Sequence, residues 1–413
     1  MNRRVVVTGM GALTPIGNNV SDFWNNAKAG KLGIDYVTLV DKDEVSVKIA
    51  GEVKDFDPTE YLDRKESKRL DRFCQFALVS AKEAIKSANL DLDNMDKERI
   101  GVIVGSGIGG FQTIETEISK MASGSSRRVS PFFIPMAIIN MAAGNISIKY
   151  GLKGPSTSVV TACATGTNSI GEAFRQIKHG YADVMLAGGV EAPITKIGIE
   201  GFASLKALNS SNDPKRASIP FDKERSGFVM GEGAGILILE SLESAKKRGA
   251  KILAEVVGYG STCDAYHITS PDPDGEGAAR AMLEAINEAN IEKEEVSYIN
   301  AHGTSTPLND KFETAAIKKA FGEYAYKIPV SSTKSMTGHL LGAAGAIEAI
   351  ICVESLLENF VPPTIGLEEK DEDCDLDYVS TGGRDEEVNY ALTNSLGFGG
   401  HNATLLFKKW SEN

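Results

Sequence analysis

The same order of apolar strands and amphipathic helices runs twice along this 413-residue chain, and that repeat limits the folds open to it. The predicted helix at residues 77–89 is echoed at residues 278–290. Each leads through a short acidic connector to a predicted strand, at residues 100–104 and 296–300. Strands that alternate with helices are typical of α/β architecture. We therefore predict an α/β fold of two pseudo-equivalent halves, residues 1–250 and residues 251–413.

Composition and charge narrow the classes of function. The net charge of −12 argues against nucleic-acid binding, which needs a basic surface. Five cysteines without a CxxC pair indicate neither a disulfide framework nor a zinc site, and the chain begins directly with a predicted strand. We therefore expect a cytoplasmic protein without a secretory signal. The apolar run at residues 340–357 carries Glu348 and Glu354, so a buried helix is expected there rather than a membrane span.

Cys163 stands where an apolar strand-like run meets the predicted helix at residues 164–179. A cysteine in such an apolar setting is more often a small buried hydrophobe than a nucleophile. The positive end of a helix, however, favours a thiolate, and we expect the pKa of Cys163 to fall below the ordinary value of about 8.5. Ala164, Thr165 and Gly166 are small and leave room for a substrate. The junction therefore favours a catalytic thiol.

Two histidines, His302 and His339, follow predicted strands and are surrounded by glycine, serine and threonine. None of the five histidines of the chain is paired at i, i+4, so no metal site is expected. Two neutral imidazoles directed at one carbonyl oxygen would stabilise an enolate. One of them could instead act as a base toward Cys163. Lys334 could pair with Glu348 and orient His339, although a surface ion pair is the ordinary alternative.

Two glycine-rich turns also carry a prediction. Residues 105–110 match GxGxxG after a predicted strand, but the second strand that should end in a ribose-binding acid is missing. We therefore favour a turn with close backbone approach near an active-site pocket, and we expect no cofactor. Gly397-Phe398-Gly399-Gly400 places one bulky ring on a mobile backbone. That pattern suits a gate over a buried pocket, with a simple tight turn as the alternative.

At these residues the chain resembles the β-ketoacyl-acyl carrier protein synthases, which are condensing enzymes of the thiolase superfamily. The stretch after Cys163 is most similar to the long-chain elongating branch of that family. The resemblance implies a five-layered αβαβα thiolase-like fold, a homodimer and no organic cofactor. The matching motifs span nearly the full length: Val7-Thr8-Gly9-Met10-Gly11, Thr161-Ala162-Cys163-Ala164-Thr165-Gly166, Pro220-Phe221-Asp222, Arg225-Ser226-Gly227-Phe228, Gly231-Glu232-Gly233-Ala234-Gly235, Asn300-Ala301-His302-Gly303-Thr304-Ser305-Thr306, Lys334-Ser335-Met336-Thr337-Gly338-His339 and Gly397-Phe398-Gly399-Gly400.

The same resemblance implies a decarboxylative condensation. Cys163 would accept a fatty acyl group from acyl carrier protein, with the acyl carbonyl held by the backbone N–H groups of Cys163 and Phe398. His302 and His339 would hydrogen-bond the malonyl thioester as decarboxylation builds an enolate, and Lys334 with Glu348 would support His339. The product would be a β-ketoacyl chain that is two carbons longer.

Further residues receive a role only through the resemblance. Thr304 and Thr306 would contact the pantetheine arm, and Gly397 and Gly399 would flank the gate and contact substrate. The acyl tunnel would be shaped by Ile108, Phe133 and Phe202. Six basic residues are candidates for docking the acidic carrier protein, and the first three are predicted to lie on adjacent turns of one helix: Lys65, Lys68, Arg69, Arg127, Arg128 and Lys206. A solvated basic face is the alternative.

Two positions depart from the family pattern, because Leu396 stands where many relatives have Phe and His401 where many have Thr. Both flank the gate, and they leave the acyl chain length open. A polyketide-type ketosynthase is the enzymatic alternative. A thiolase proper is disfavoured, since it uses a second cysteine near the C-terminus and Cys374 lies in an acidic segment. A non-catalytic chain-length subunit is a different class of alternative, but such subunits generally lack the nucleophile.

Overall fold

The computed structural model describes residues 3–125 and 128–412 of the chain. The strands in these ranges are β1 Val5–Leu13, β2 Asp35–Tyr36, β3 Ile49–Ala50, β4 Ile100–Gly105, β5 Ser156–Thr157, β6 Val184–Glu191, β7 Gly233–Ser241, β8 Ala254–Cys263, β9 Tyr298–Asn300, β10 Val330–Ser331, β11 Phe360–Val361, β12 Arg384–Asp385, β13 Tyr390–Gly397 and β14 His401–Lys409. The α-helices there are α1 Val20–Lys28, α2 Arg64–Ser67, α3 Arg72–Ser87, α4 Phe111–Ala122, α5 Phe133–Ala137, α6 Met141–Tyr150, α7 Thr165–Lys178, α8 Lys196–Ser204, α9 Leu242–Lys247, α10 Glu276–Ala289, α11 Pro307–Phe321, α12 Lys334–Thr337 and α13 Ala344–Glu358.

Ten strands form one mixed sheet in the order β10-β9-β13-β14-β8-β1-β7-β6-β4-β5. The two halves of the chain meet where β1 pairs antiparallel with β8. Outward from this junction, one side runs β1-β7-β6-β4-β5 and the other runs β8-β14-β13-β9-β10. When only the strands of this sheet are counted, both sides follow the order first, fifth, fourth, second and third strand of their own half. The predicted pseudo-equivalent halves are confirmed, whereas their bounds, residues 1–250 and 251–413, stay a prediction.

The helices complete the five layers that the resemblance implied. Helix α3 contacts β1 and β7, and α10 contacts β8 and β14, so each covers one half of the sheet. Helices α7 and α13 contact strands of both halves: α7 contacts β6 and β14, and α13 contacts β7 and β13. They therefore form a central layer between the two halves of the sheet. The αβαβα fold is confirmed, and the middle strands read as apolar runs because both of their faces are buried.

The two central helices begin in the same way. A 3-10 turn, Ala162–Ala164, precedes α7, and a 3-10 turn, Leu341–Ala343, precedes α13. The first residue of each turn has a left-handed backbone, with φ of 49° at Ala162 and 48° at Leu341. The helix expected in the apolar run at residues 340–357 begins only at Ala344, because the positive φ angles of Gly338 and Leu341 interrupt the helical backbone before it.

Other boundaries also differ from the sequence expectations. Lys65, Lys68 and Arg69 do not share a helix, since α2 ends at Ser67 and α3 begins at Arg72 behind the N-cap residue Asp71. Arg127 lies outside the described residues. The segment predicted as a buried helix is α13, and none of the helices in the described ranges is long and apolar enough to cross a membrane.

Strand β6 runs through two adjacent glycines, Gly188 and Gly189, to Glu191. Glycine usually weakens a strand unless a close approach of another backbone requires it. Here Gly188 lies so close to β7 that a Cβ would come within 1.9 Å of the carbonyl oxygen of Gly235. Glycine is therefore needed for close strand packing, and the extended strand carries Glu191 toward the site described next.

Candidate functional site

The thiol of Cys163 is placed by the 3-10 turn Ala162–Ala164, between β5 and α7. Two hydrogen bonds stabilise this turn: the N–H of Thr161 donates to Thr165 Oγ1 over 2.9 Å, and Thr161 Oγ1 donates to Asn168 Oδ1 over 2.7 Å. Cys163 is buried with 8% of its surface exposed. The turn therefore presents a largely desolvated sulfur in a defined position.

The structure brings Cys163 together with both predicted histidines. Its sulfur and one ring nitrogen each of His302 and His339 lie within 4.8 Å of one another. The two imidazole rings are 5.2 Å apart and nearly perpendicular. All three residues line one cavity of about 380 Å³, together with Phe228 and Phe398. Residues from both halves of the chain thus meet in a single pocket.

His302 is oriented from two sides. The carboxylate of Glu313 on α11 accepts the backbone N–H groups of His302 and Gly303, at 2.7 and 2.8 Å. Lys334 Nζ lies 3.4 Å from Nδ1 of His302. An ammonium group can only donate, so Nδ1 accepts and the ring proton is on Nε2. The ring therefore offers an N–H donor at its other nitrogen.

His339 is held by its backbone instead. Its N–H donates to the carbonyl of Val229 over 2.7 Å, and its carbonyl accepts the N–H of Gly231 over 2.9 Å. Its ring packs edge-on against Phe228. Both ring nitrogens are buried and find no hydrogen-bond partner in the part of the chain that the structure describes. They are therefore available to an oxygen atom of a ligand.

Burial and the Lys334 ammonium hold the pKa of both histidines well below the ordinary value of 6.5, so both rings are neutral. Lys334 donates to Glu348 Oε1, and both side chains are buried. The alternative considered from the sequence, an ion pair on the surface, is therefore wrong. Burial raises the pKa of Glu348 to about 7, against the opposing effect of Lys334. The histidine that Lys334 contacts is His302, whereas the sequence led us to expect His339.

The expected fall in the pKa of Cys163 is wrong in direction. Burial raises the pKa of the thiol to about 12, while the Lys334 charge lowers it and the Glu191 charge raises it. Desolvation of the thiolate therefore outweighs the helix start. Hydrogen bonds from the backbone N–H groups of Phe398 and Cys163 also favour the thiolate. Two N–H donors thus converge at the sulfur.

Sulfur and two imidazoles are also a donor set that suits a soft metal ion. The ammonium of Lys334, 3.4 Å from His302, adds a positive charge that repels a cation at this position. The arrangement is better matched to a developing negative charge. A nucleophilic sulfur, two neutral imidazoles and two backbone N–H donors are together suited to acyl chemistry.

The gate predicted at residues 397–400 forms the turn between β13 and β14, and Phe398 lines the cavity. Its ring centroid lies 6.4 Å from that of Phe202. Gly397 is required here, because a Cβ would lie 2.7 Å from the carbonyl oxygen of Thr161. Gly399 has a φ of 88°, which favours glycine. The turn is therefore tightly packed at Gly397, and at Gly399 it has a backbone conformation that other residues rarely adopt.

Some of the other predicted site residues line the cavity, and others do not. Phe202, Thr304, Thr306, Lys206, Leu396 and Gly397 line the cavity. Ile108 packs against the apolar cluster that contains Cys163. Phe133, half-buried in α5, is absent from the lining formed by the described residues of this chain. The basic residues described are exposed: Lys65, Lys68, Arg69, Arg128 and Lys206.

Two carboxylates were missed by the sequence reasoning. Glu313 lies on α11 and accepts the backbone of the His302 loop, and Glu191 at the end of β6 accepts N–H groups from residues 107, 108 and 342. For Glu191, the sequence signal was an acidic residue directly after Gly188, Gly189 and Val190. The N–H groups of the GxGxxG turn are therefore used inside the protein.

Comparison with known proteins agrees with this arrangement. The family model described as beta-ketoacyl synthase, N-terminal domain, matches residues 2–245, and the C-terminal domain model matches residues 253–368. The 3-oxoacyl-acyl-carrier-protein synthase 2 of Staphylococcus aureus (strain N315) is 56% identical over 409 residues, which cover 99% of both chains. The protein of the same name from Synechocystis sp. is 56% identical over 409 residues, covering 99% of this chain and 98% of that one.

Solved structures agree as well. A beta-ketoacyl synthase from Burkholderia phymatum STM815 superposes with a TM-score of 0.91 at 33% identity, covering 99% of this chain and 100% of that one. A type II polyketide ketosynthase in complex with its acyl-carrier protein superposes with a TM-score of 0.92 at 38% identity, with the same coverage.

The pH dependence of Cys163 alkylation tests the electrostatics of the site. The rate with iodoacetamide should rise through a midpoint above the ordinary thiol value of about 8.5, because burial disfavours the thiolate. In Lys334→Met the midpoint should move higher still, because a charge that favours the thiolate is lost. Mass spectrometry of the labelled peptide measures the rate, in a Cys263→Ser background because Cys263 is exposed.

The matched control is Lys251→Met, which removes an exposed lysine outside the cavity and should leave the midpoint in place. A wild-type midpoint below about 8.5 would show that the helix start outweighs burial after all.

Proposed function

The chain belongs to the beta-ketoacyl synthase family, and we propose that it acts as a 3-oxoacyl-acyl carrier protein synthase of the synthase II type. It extends a fatty acyl chain by two carbons through decarboxylative condensation with malonyl carrier protein. The observation that carries the proposal is the cavity where Cys163 lies within 4.8 Å of the two neutral histidines, His302 and His339. The 56% identity to synthases of that name over nearly the full length supports the same assignment.

The first step transfers the acyl group to the enzyme. Cys163 Sγ attacks the thioester carbonyl of acyl carrier protein, and the carbonyl oxygen becomes an oxyanion. The backbone N–H groups of Cys163 and Phe398 stabilise that charge, since both already point at the sulfur. The bond to the carrier sulfur then breaks, and the proton of the Cys163 thiol passes to the departing sulfur. A raised thiol pKa is compatible with this step because the proton leaves as the bond forms.

The second step makes the carbon nucleophile. The malonyl thioester carbonyl accepts hydrogen bonds from Nε2–H of His302 and from the ring of His339. Loss of the malonyl carboxylate as carbon dioxide leaves an enolate on the same oxygen, and neutral donors favour it without protonating it outright. The enolate carbon attacks the acyl group on Cys163, the carbon–sulfur bond breaks, and the thiolate takes up a proton. Thr304 and Thr306, whose hydroxyls are 3.0 Å apart on the cavity wall, contact the pantetheine arm.

Two other functions fit less well. A polyketide-type ketosynthase uses related chemistry, but the similarity to the polyketide ketosynthase is 38% identity against 56% for the fatty-acid enzymes. A non-catalytic chain-length partner would not need a nucleophile, and here Cys163 is present beside both histidines. The five cysteines are all free, which supports a place in the reducing cytoplasm. Cell fractionation tests that location.

Two variants should separate the half-reactions. Cys163→Ser should lose acyl transfer by about a thousandfold or more, because the hydroxyl is a far weaker nucleophile, and should retain malonyl decarboxylation. His302→Ala should keep acylation of Cys163 and slow decarboxylation by about 10²-fold or more, because one enolate donor is gone. Mass spectrometry follows the acyl-enzyme and the β-ketoacyl product, and released carbon dioxide follows decarboxylation.

Acyl carriers of graded chain length provide the substrate series for these assays. Unchanged condensation in Cys163→Ser would contradict the function. Reaction with short chains alone would contradict the synthase II type and leave the mechanism standing.

The partner that presents both substrates is acyl carrier protein. A structural relative is complexed with its acyl-carrier protein, and an exposed lysine of this chain, Lys206, lines the mouth of the cavity. Lys65, Lys68 and Arg69 add positive charge on an exposed segment, where Arg69 lies 5.0 Å over the ring of Phe132. An acidic carrier is attracted to such positive charge in a chain that is otherwise acidic overall.

Charge reversal at the cavity mouth tests this docking site. Lys206→Glu should raise the KM for acyl carrier protein several-fold with little change in kcat, because a rim charge acts on encounter. Added salt should reduce the difference between the variant and the wild type. Steady-state kinetics with carrier-bound substrates provide the measurement, and Lys251→Glu, away from the cavity, is the matched control. Equal KM values for the two variants would contradict docking at Lys206.

The chain also assembles as a homodimer through the β5 edge of the sheet. Strand β5 is exposed at one edge, whereas β10 at the opposite edge is buried. Helix α6 contacts β5 and exposes Ile148. Further exposed apolar side chains lie in the same part of the chain: Ile118, Met121, Ile134, Ile138 and Val160. An exposed edge strand with apolar neighbours is suited to pairing with a second copy about a two-fold axis. Phe133 is half-buried in α5, next to the exposed Ile134, and its place in the acyl tunnel stays a prediction.

Ile148→Asp should convert the dimer to a monomer, because a charge would be buried in the proposed apolar interface beside β5. The control is Ile268→Asp: both isoleucines are 76% exposed, but Ile268 lies on a different segment. Sedimentation equilibrium measures the mass of both variants. A wild-type chain that sediments as a monomer would contradict the assembly, as would loss of the dimer in both variants.

A further inference from the structure

A fully buried carboxylate, Glu191, lies close to the nucleophile but takes no part in the steps above. It is the last residue of β6 and accepts four hydrogen bonds. The hydroxyl of Ser106 donates to it, as do the N–H groups of Gly107 at 2.7 Å, Ile108 at 3.1 Å and Gly342 at 2.8 Å. No cationic side chain in the described ranges forms an ion pair with it.

The hydrogen-bond pattern favours the ionised form of Glu191. Three of its partners are backbone N–H groups, which can only donate. The fourth is the Ser106 hydroxyl, which accepts the N–H of Gly109 over 2.9 Å and keeps its own hydrogen to donate to Glu191. Burial raises the pKa of Glu191, but the four donors oppose that effect.

The carboxylate joins two elements of different halves. Residues 106–108 follow β4 in the first half, and Gly342 belongs to the turn Leu341–Ala343 in the second half. A Cβ at Gly342 would lie 2.5 Å from the nitrogen of Gly107 and 2.6 Å from Glu191 Oε2, so the loop, the turn and the carboxylate are in direct contact. Ile108, on the same loop, packs against the apolar cluster of Cys163 and Leu341.

We propose that Glu191 is a positioning residue for acyl transfer. Its carboxylate holds residues 106–108 against the turn Leu341–Ala343, and so keeps Ile108 in place as a wall of the acyl site beside Cys163. This inference rests on the proposed function. When the contact is lost, the wall moves and a long acyl chain has fewer productive positions, whereas a short chain that does not reach Ile108 is affected less. Malonyl decarboxylation, which uses the histidines, does not depend on it.

Glu191→Gln tests the proposal with little change in size. The amide has one acceptor oxygen and one NH₂ group, so it must set a donor against at least one of the N–H groups. Single-turnover acylation of Cys163 by tetradecanoyl carrier protein should slow by about tenfold or more, and acylation by hexanoyl carrier protein by less than about threefold. Malonyl decarboxylation should stay within about twofold of the wild type. The alkylation midpoint of Cys163 should move to lower pH, because a nearby negative charge is gone.

A second variant keeps the test open if Glu191→Gln does not fold. Ser106→Ala removes one hydrogen-bond donor and leaves the charge of Glu191. Acylation by the long chain should therefore slow more than acylation by the short chain, but by a smaller factor than in Glu191→Gln. The alkylation midpoint of Cys163 should not move to lower pH. Glu98→Gln, at an exposed site, is the matched control and should behave as the wild type. Equal slowing for both chain lengths, a parallel loss of decarboxylation, or no slowing at all would overturn the inference. A wild-type enzyme that accepts no acyl group would instead overturn the proposed function.

Discussion

The site depends on how closely the two central helices approach each other. A Cβ at Gly166 on α7 would lie 2.8 Å from the nitrogen of Ala346, and a Cβ at Gly345 on α13 would lie 2.0 Å from Thr167 Oγ1. The helices can pack at this distance only because both carry glycine where they meet. Cys163 precedes one helix, and Glu348, the partner of Lys334, lies in the other. Glycine packing in the central layer therefore sets the distance across the reactive centre.

Burial, not local helix geometry, then decides the charges in the site. It leaves both histidines neutral and raises the pKa of the Cys163 thiol and of Glu348. The cationic charge in this group belongs to Lys334, which contacts His302 and pairs with Glu348. A resting site with a protonated thiol and neutral rings holds little reactive charge. Charge develops when a substrate brings its carbonyl oxygen to the donors, which is where such a site stabilises a transition state most.

The reactive residues could be predicted because each stands at a sharp junction that a sequence displays locally. Cys163 and His302 lie between a strand and a helix, and His339 lies between the helices α12 and α13, all among small residues. The direction of the Cys163 pKa could not be predicted that way, because desolvation depends on neighbours that are distant in sequence. The pair of Lys334 with Glu348 was predicted, but the contact of Lys334 with His302 was not, since His302 reaches Lys334 only in three dimensions. The repeat of strands and helices predicted two halves, but Leu341, one of the two residues with positive φ before α13, carries no sequence signal as clear as a glycine.

The GxGxxG turn binds an anion through its backbone N–H groups, but the anion belongs to the protein and not to a nucleotide. Backbone N–H groups at such a turn are suited to an anion, which in dinucleotide-binding folds is a phosphate. Here the anion is the carboxylate of Glu191, supplied by the adjacent strand, and the turn of Gly342 in the other half contributes a further donor. Gly342 stands in the turn that corresponds to the turn of Cys163. The two corresponding turns thus offer a backbone N–H to a negative group: one to a permanent carboxylate that joins the halves, the other to the reactive sulfur. The two halves therefore share the same turn with a backbone N–H donor, and the side chain nearby decides whether that turn has a structural or a chemical role.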